Sequence, residues 1–474
     1  MSDRPPRNEA GGLGTPRRPL TRIVSLRTRA PRLAQAERGL SLIGGLAALA
    51  ALGTVLLALP ISGAERPLRL NEAFFTAVSA VATTGLSVIT PGKDLSLFGQ
   101  IVLLLLMQLG GIGFMVTAVT VFRLVGKRVT FAERLSLRDS LGLVSAGQIL
   151  RLTTRLLLAV LAIEAVGALV LWLNWAPQFG AGWAAYYAIF HSVSAFTNAS
   201  FDLFAGSPTA PAGFPTDTLT LLTLASLIFL GGIGIPVISD VLLYRRRRRF
   251  SLHTRLTLVT SLVLIIVGTL LFFLAELKFR GVFSDESVGR LWLLSFFHSI
   301  ASRTSGFVVS ARFSQLEPAN GLLLIVLMFI GAAPASMGGG ITTSTFAVLV
   351  LAMASFIRGH AEIRAGGRII PFELVYKAVA IVTGAAMVIA VVTWLLLYTH
   401  ENVSLVMALV ETVSAFSTSG YSLALTGQLN LFGQLLIAGL MFFGRLGTLT
   451  IIVALARPNT PAAVSYPEER ILMG

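Results

Sequence analysis

Four short stretches carry the residue types from which a cation site can be built. They are Thr83-Thr84-Gly85, Asn198-Ala199-Ser200, Thr304-Ser305-Gly306 and Thr418-Ser419-Gly420. Each follows a short apolar stretch rich in small and hydroxyl residues, which reads as a helix too short to cross a bilayer. A short helix that aims its C-terminal end at a common point places partial negative charge there. The extended residues after it turn backbone carbonyls the same way, and a ring of carbonyl oxygens replaces the hydration shell of a monovalent cation. Glycine suits the closing position because it reaches backbone angles closed to other residues. Side-chain oxygens of Thr84, Asn198, Ser305 and Ser419 add to the carbonyls. No carboxylate stands at the four marks, which argues against a divalent-cation filter. One such stretch alone would read as an ordinary helix–helix contact, where small residues are common. Four copies, closing at residues 85, 200, 306 and 420 with spacings of 115, 106 and 114, are an internal fourfold repeat.

Such loops need walls, and the composition supplies them. The chain has 474 residues, 55% hydrophobic and 12% charged, with a mean hydropathy of +0.81. Soluble domains carry about 25% charged residues. Apolar runs recur at the length of about twenty residues needed to cross a bilayer as a helix. The predicted fold is an all-α polytopic membrane protein with eight transmembrane helices. They form four span–re-entrant loop–span repeats around a pseudo-fourfold central pore, because non-helical backbone at membrane depth must be covered by protein or line a wet cavity. The predicted divisions are a basic cytoplasmic arm (1–38), repeat 1 (39–124), a link (125–151), repeat 2 (152–250), repeat 3 (251–358), a link (359–371), repeat 4 (372–456) and a tail (457–474). The spans within the repeats fall at 40–59 and 97–124, 152–173 and 219–244, 256–277 and 320–357, and 372–398 and 431–455. The link 125–150 reads as a short amphipathic helix. The return run of repeat 3 is too long for one plain span, and Gly331–Gly340, with Pro334 and three consecutive glycines, breaks it.

Charge sets the orientation. The net charge is +15, and residues 1–38 hold nine arginines without an apolar core of the signal-peptide kind. Further basic clusters at 123–155, 245–249 with Arg255, and 358–377, plus Arg457 and Arg470, fall on one side if each repeat crosses twice. The positive-inside rule then places both termini in the cytoplasm of a multi-pass cell (inner) membrane protein. The segment 275–320 is an exception, with Lys278, Arg280, Arg290, Arg303 and Arg312. This distribution points to lipid headgroups rather than nucleic acid, with docking of a cytosolic partner as the second reading of Arg245–Arg249. The chain has no cysteine, so disulfides, thiolate metal sites and cysteine nucleophiles are excluded.

Isolated polar residues have bland readings beside sharper ones. Arg445 lies inside an apolar span, where a charge is costly; it either pairs with helix carbonyls or acts as a latch. Glu164 reads as an interhelical hydrogen-bond partner. Glu72 and Glu411, at the outer parts of loop helices, read as helix-stabilising acids before cation attractors. His191 and His298 read as packed and hydrogen-bonded, with no carboxylate or cysteine partner to make a metal site. Asp240 caps a helix or pairs with nearby arginines. Gly338-Gly339-Gly340 lacks the lysine of a phosphate loop, so no nucleotide site is expected. A coupled symporter would need broken helices in paired repeats, and only repeat 3 is clearly broken. A membrane enzyme would need a nucleophile–base or metal-ligand set, which the spans lack.

The chain resembles the Trk/Ktr/HKT superfamily of potassium transporters, most closely the Ktr membrane subunit. The resemblance rests on Thr83-Thr84-Gly85-Leu86, Ser194–Ala199, Arg303-Thr304-Ser305-Gly306-Phe307 and Ser414–Gly420, with Gln108–Gly113, the Met328–Thr345 break and Met441–Gly447. It implies channel-like potassium uptake, with K⁺ and possible Na⁺ as cargo and no cofactor or structural metal. It implies that the filter is Thr83, Thr84, Gly85, Asn198, Ala199, Ser200, Thr304, Ser305, Gly306, Thr418, Ser419 and Gly420. It implies an intramembrane gating loop at 331–345, including Gly331, Ala332, Pro334, Ser336, Gly338, Gly339 and Gly340, with Arg445 nearby. It also implies a homodimer in membrane lipid, docked by a cytosolic ring of nucleotide-binding regulatory subunits. One position departs from the pattern: Ser200 stands where the second loop should have glycine. Its Cβ restricts the backbone, so weaker discrimination between K⁺ and Na⁺ is expected.

Overall fold

The computed structural model describes residues 31–112, 149–210, 213–279, 281–283, 286–310, 313–360 and 362–447. The predicted link helix at 125–150 falls almost wholly outside them, as do the far ends of the first and last return spans and the tail 457–474.

Each repeat builds the same three pieces. A long apolar helix comes first: α1 (Pro31–Ala58), α4 (Ile149–Phe179), α8 (Leu252–Phe279) and α12 (Phe372–Thr399). A short buried helix follows: α2 (Leu70–Val81), α5 (Ala181–Phe196), α9 (Val288–Thr304) and α13 (Leu405–Ser417). A return helix closes the unit: α3 (Leu97–Ile112), α6 (Thr218–Gly232) continued by α7 (Ile235–Arg247), α10 (Pro318–Ile330) with α11 (Thr343–Ile357), and α14 (Leu431–Leu446). Among the described residues three helices are long and apolar enough to cross a bilayer, and four if the bent α6–α7 pair counts as one span. Eight full spans are therefore not seen, because the remaining apolar helices are described only over 10–17 residues. Helix α1 starts at Pro31, inside the stretch predicted as a basic arm; the sequence from Arg32 to Arg38 has no glycine or proline to stop it.

Packing runs in a closed order. Each return helix touches the short helix of the next repeat: α3 with α5, α6 with α9, α10 with α13, and α14 with α2. The short helices lie at the centre of one continuous apolar core. Their polar ends are capped by side chains where the chain enters: Ser287 accepts from the Arg290 N–H and Ser404 from the Met407 N–H. Outward faces remain apolar, as Leu262, Ile266, Val391 and Trp394 show, which suits lipid contact.

Two breaks differ in how well the sequence foretold them. The repeat-3 break is present, although α11 begins at Thr343, so the irregular segment is 331–342 rather than 331–345. The repeat-2 return, predicted as one span over 219–244, instead bends by 100° between α6 and α7. Gly234 takes φ +87° and Pro236 is the second residue of the next helix, which together remove the hydrogen bonds a straight helix needs. The link 359–371 holds a small hairpin, β1 (Ile363–Ala365) antiparallel to β2 (Arg368–Ile370). Its turn is Gly366-Gly367 at φ +56° and +77°, the left-handed pair a two-residue hairpin requires.

Candidate functional site: four convergent loops and the segment packed against them

The short helices end in a shared way in three repeats. Thr83, Asn198 and Thr418 each take left-handed backbone angles, φ +52°, +58° and +51°. The next residue folds back: the N–H of Thr84, Ala199 and Ser419 donates to the carbonyl of Ser79, Ser194 and Ser414 at 2.8, 2.9 and 3.0 Å. This satisfies carbonyls that a helix end would otherwise leave open. The third mark behaves differently. Helix α9 runs on to Thr304, Ser305 is extended at φ −150°, and its N–H donates to Ala301.

The four loop ends touch in cyclic order. A Cβ at Gly85 would lie 2.4 Å from the Ala199 carbonyl oxygen, and one at Gly420 would lie 2.3 Å from that of Thr84. A Cβ at Gly306 would lie 2.6 Å from the Ser419 oxygen. Each glycine thus makes room for a carbonyl of a neighbouring loop. Ser200 closes the remaining contact with its side chain: its Oγ accepts from the Gly306 N–H at 2.5 Å, lies 3.1 Å from Ser305 Oγ and donates to the Ser419 carbonyl at 3.3 Å. Ser200 keeps the left-handed conformation of its glycine counterparts, φ +58° against +89° at Gly85 and +90° at Gly420.

The other expected side-chain oxygens face elsewhere. The Asn198 side-chain amide donates to the carbonyls of Ala195 and Ile228 at 3.3 and 3.2 Å, and Ser419 Oγ donates to Ser414 Oγ at 3.3 Å. Thr84 Oγ1 is buried with no partner among the described residues.

The segment 331–342 lies directly against these loops and is tied to all four repeats. Thr83 Oγ1 donates to the Met337 carbonyl at 2.9 Å, and the Gly339 N–H donates to Thr418 Oγ1 at 2.9 Å. The N–H groups of Ala333 and Met337 donate to Gly232 and Gly231, and Ile235 donates back to Ala335. Arg445, on α14, donates to the carbonyls of Met337, Gly110 and Gly111. It therefore pairs with backbone carbonyls, one of them on the segment itself. Gly331, Ala332, Gly338, Gly339 and Gly340 close the segment on itself, since the Ala332 N–H donates to Gly339 and a Cβ on Gly331 would meet the Gly339 oxygen at 2.3 Å. Pro334 and Ser336 form its half-buried tip.

The isolated polar residues resolve mostly into structure. Gln108 donates to Glu164 at 2.8 Å across two helices. Glu411 is fully buried and accepts from Ser422 and Thr426, while Glu72 pairs with Arg66 and accepts from the Arg69 N–H. His298 meets Tyr421 at 3.0 Å, and Asp240 accepts from Ser251 and Thr254. His191 does have a carboxylate partner that the sequence reading missed, Asp202 at 3.0 Å, eleven residues on. Among the described residues no three acids and histidines group as a metal site. Arg303 is marked by the sequence as a topological exception and as the first residue of the third-loop motif, without a role of its own. It is buried at 5% exposure and donates to Ser261 Oγ and the Gly331 carbonyl. Its place three residues before a loop mark, where the other repeats have Ala82, Thr197 and Ser417, was the available signal.

Comparison with known proteins places these features in a family. Residues 47–463 match the family model described as TrkH, cation transport protein. The chain is 36% identical over 422 residues to the Ktr system potassium uptake protein B of Vibrio alginolyticus, covering 89% of this chain and 91% of that one. It is 34% identical over 424 residues to the protein of the same description from Bacillus subtilis, covering 89% and 94%. It is 32% identical over 412 residues to the potassium/sodium uptake protein NtpJ of Enterococcus hirae, covering 85% and 89%. The crystal structure of the potassium transporter TrkH from Vibrio parahaemolyticus superposes with a TM-score of 0.68 at 20% identity, covering 89% of this chain and 85% of that one.

Proposed function

Because the chain belongs to the TrkH family of cation transport proteins, we propose that it takes up potassium through a channel-like filter formed by its four loops. At the coarser level it is a potassium uptake transporter of the Trk/Ktr kind in the cell membrane, not an enzyme. The observation that carries the finer reading is the cyclic contact of the four loop ends, with the carbonyls of Thr84, Ala199 and Ser419 each packed against the next glycine. Backbone oxygens held at that spacing exchange for water around a monovalent cation. Eight spans in four repeats enclose the pathway, with both termini cytoplasmic. Segment 331–342 is the gate: it lies against Thr83 and Thr418 and is held by Arg445, so its displacement clears the path. A cytosolic regulatory ring controls that displacement, and two copies of the chain pair in the membrane.

Ser200 supports a second reading, a pathway that also carries Na⁺. The name of NtpJ, which includes both ions, fits that reading. Uptake of ⁸⁶Rb⁺ into proteoliposomes holding the purified chain tests the proposal, with ²²Na⁺ uptake in parallel. Absence of ion flux from folded protein, with and without its regulatory partner, sinks it.

A further inference from the structure

We infer that Arg303 is a positioning residue that fixes the start of segment 331–342, so that the segment opens by swinging about Gly331 when Arg445 releases Met337, beside the tip. The inference rests on reading that segment as the gate, but it is tested without ion flux.

The two arginines that hold the segment sit in unlike places. Arg303 lies in the last turn of α9, 5% exposed, at the junction of α8, α9 and α10. Its Nη2 donates to Ser261 on α8 at 3.3 Å and to the Gly331 carbonyl, where α10 ends, at 3.2 Å. Both partners belong to repeat 3, so this grip lies within one packed unit. No acidic side chain pairs with it among the described residues, so the carbonyl and the hydroxyl are its fixed acceptors. Arg445 instead bridges units: it comes from repeat 4 and donates to Gly110 and Gly111 of repeat 1 and Met337 of repeat 3. Arg445 is also partly exposed. Separation of repeats therefore strips Arg445 of its partners and leaves Arg303 with both of its own.

Burial along the segment dips at its tip, since Met337, Gly339 and Ile341 beyond it are buried again. Gly331, Ala332 and Ala333 are buried, whereas Pro334, Ala335 and Ser336 are half-buried. Gly331 takes φ +65°, and its backbone packs on Gly339 and Gly340 without room for a Cβ. A residue with that conformational freedom at the fixed end is suited to absorb a rotation. Thr197 and Ser417, which occupy the place of Arg303 in repeats 2 and 4, bond only to carbonyls of their own helices. This kind of anchoring is thus found in repeat 3, which contains segment 331–342, and not in repeat 2, whose return helix is also bent.

The absence of cysteine makes the test direct, because an introduced thiol is the only one in the chain. Ala332→Cys reports the fixed end and Ser336→Cys the tip, with Ala333→Cys replacing the first if it perturbs folding. Each is treated in detergent with a charged methanethiosulfonate reagent, in full chains carrying Arg445→Ala, Arg303→Gln or neither. Folding is monitored by monodisperse elution. Arg445→Ala should speed modification at Ser336→Cys about tenfold, the effect of losing one charge-assisted bond, and leave Ala332→Cys unchanged. Arg303→Gln should speed both, and Arg303→Lys, which retains a donor for Gly331, should restore protection at Ala332→Cys. Should Arg303→Gln not fold, Ser261→Ala takes its place with a smaller gain at Ala332→Cys. The pivot is overturned if Arg445→Ala exposes Ala332→Cys as much as Ser336→Cys, or if the Arg303 and Ser261 variants leave Ala332→Cys protected. Rubidium flux on the same samples reads the gate separately: unchanged flux with a mobile tip defeats the gating reading and leaves the pivot standing.

Discussion

Replacing Ser200 by glycine is the sharpest perturbation the site offers. The serine holds a left-handed backbone that disfavours a Cβ by about 1–2 kcal/mol. Its hydroxyl offsets this by satisfying the buried Gly306 N–H at 2.5 Å and reaching Ser305 and Ser419. Glycine relieves the backbone and leaves that N–H without its partner, a loss of about 1–3 kcal/mol. The two changes nearly cancel, so Ser200→Gly should fold with stability close to wild type. Transport should not cancel. The hydroxyl ties the second loop to the third and fourth, and if these loops form the filter, a strap that holds their carbonyls close would favour the smaller cation. Releasing it should raise the K⁺/Na⁺ flux ratio in proteoliposomes, by up to about tenfold if 1.4 kcal/mol of discrimination is recovered. Ser200→Ala separates the causes, because it keeps the Cβ and removes the strap. Equal flux ratios in wild type, Ser200→Ala and Ser200→Gly would refute the reasoning.

Three further outcomes are expected. Arg445→Ala removes a guanidinium that holds Met337, Gly110 and Gly111; basal ⁸⁶Rb⁺ flux without the regulatory partner should rise by about ten- to a hundredfold, and unchanged or abolished flux in folded protein counts against a latch. Gly420→Ala forces a Cβ to 2.3 Å from the Thr84 oxygen at φ +90°, so K⁺ flux should be lost while the chain still inserts; retained flux would show that the loops do not form the path. Glu411→Ala strands the Ser422 and Thr426 hydroxyls and should destabilise by about 2–4 kcal/mol, with Glu411→Gln milder, as read by thermal unfolding in detergent. A several-fold change in apparent Rb⁺ affinity in Glu411→Gln, with stability intact, would favour cation attraction instead.

What the sequence made legible was whatever repeats or is covalently marked. The four loop ends were visible because Gly85, Gly306 and Gly420 recur at near-constant spacing, and the break at 331–342 because proline and three glycines interrupt an apolar run. The third loop's different backbone was hidden: Ser305-Gly306 reads like Ser419-Gly420, and only one further helical residue, Thr304 where Thr418 turns left-handed, separates them. The bend at Gly234 was hidden because Leu230-Gly231-Gly232-Ile233-Gly234 has the same pattern as Leu109-Gly110-Gly111-Ile112-Gly113, which leaves only Pro236 to mark it. The pairing of His191 with Asp202 depends on a loop folding back, which local periodicity does not encode.

The Met337 carbonyl is shared by two donors, Thr83 from the first loop and Arg445 from the last return helix. A carbonyl oxygen has two lone pairs and holds both donors at once, so this residue joins the first loop to α14 mechanically. If Thr83 shifts when a cation occupies the loop, the strength of the arginine contact shifts with it. Linkage then works in both directions: whatever loosens Arg445 from the inner side alters cation binding by the same free energy. If the loops are the filter and the segment the gate, filling of the one and freedom of the other are coupled through this residue. External cation concentration should set how readily the segment moves, even with no regulator present.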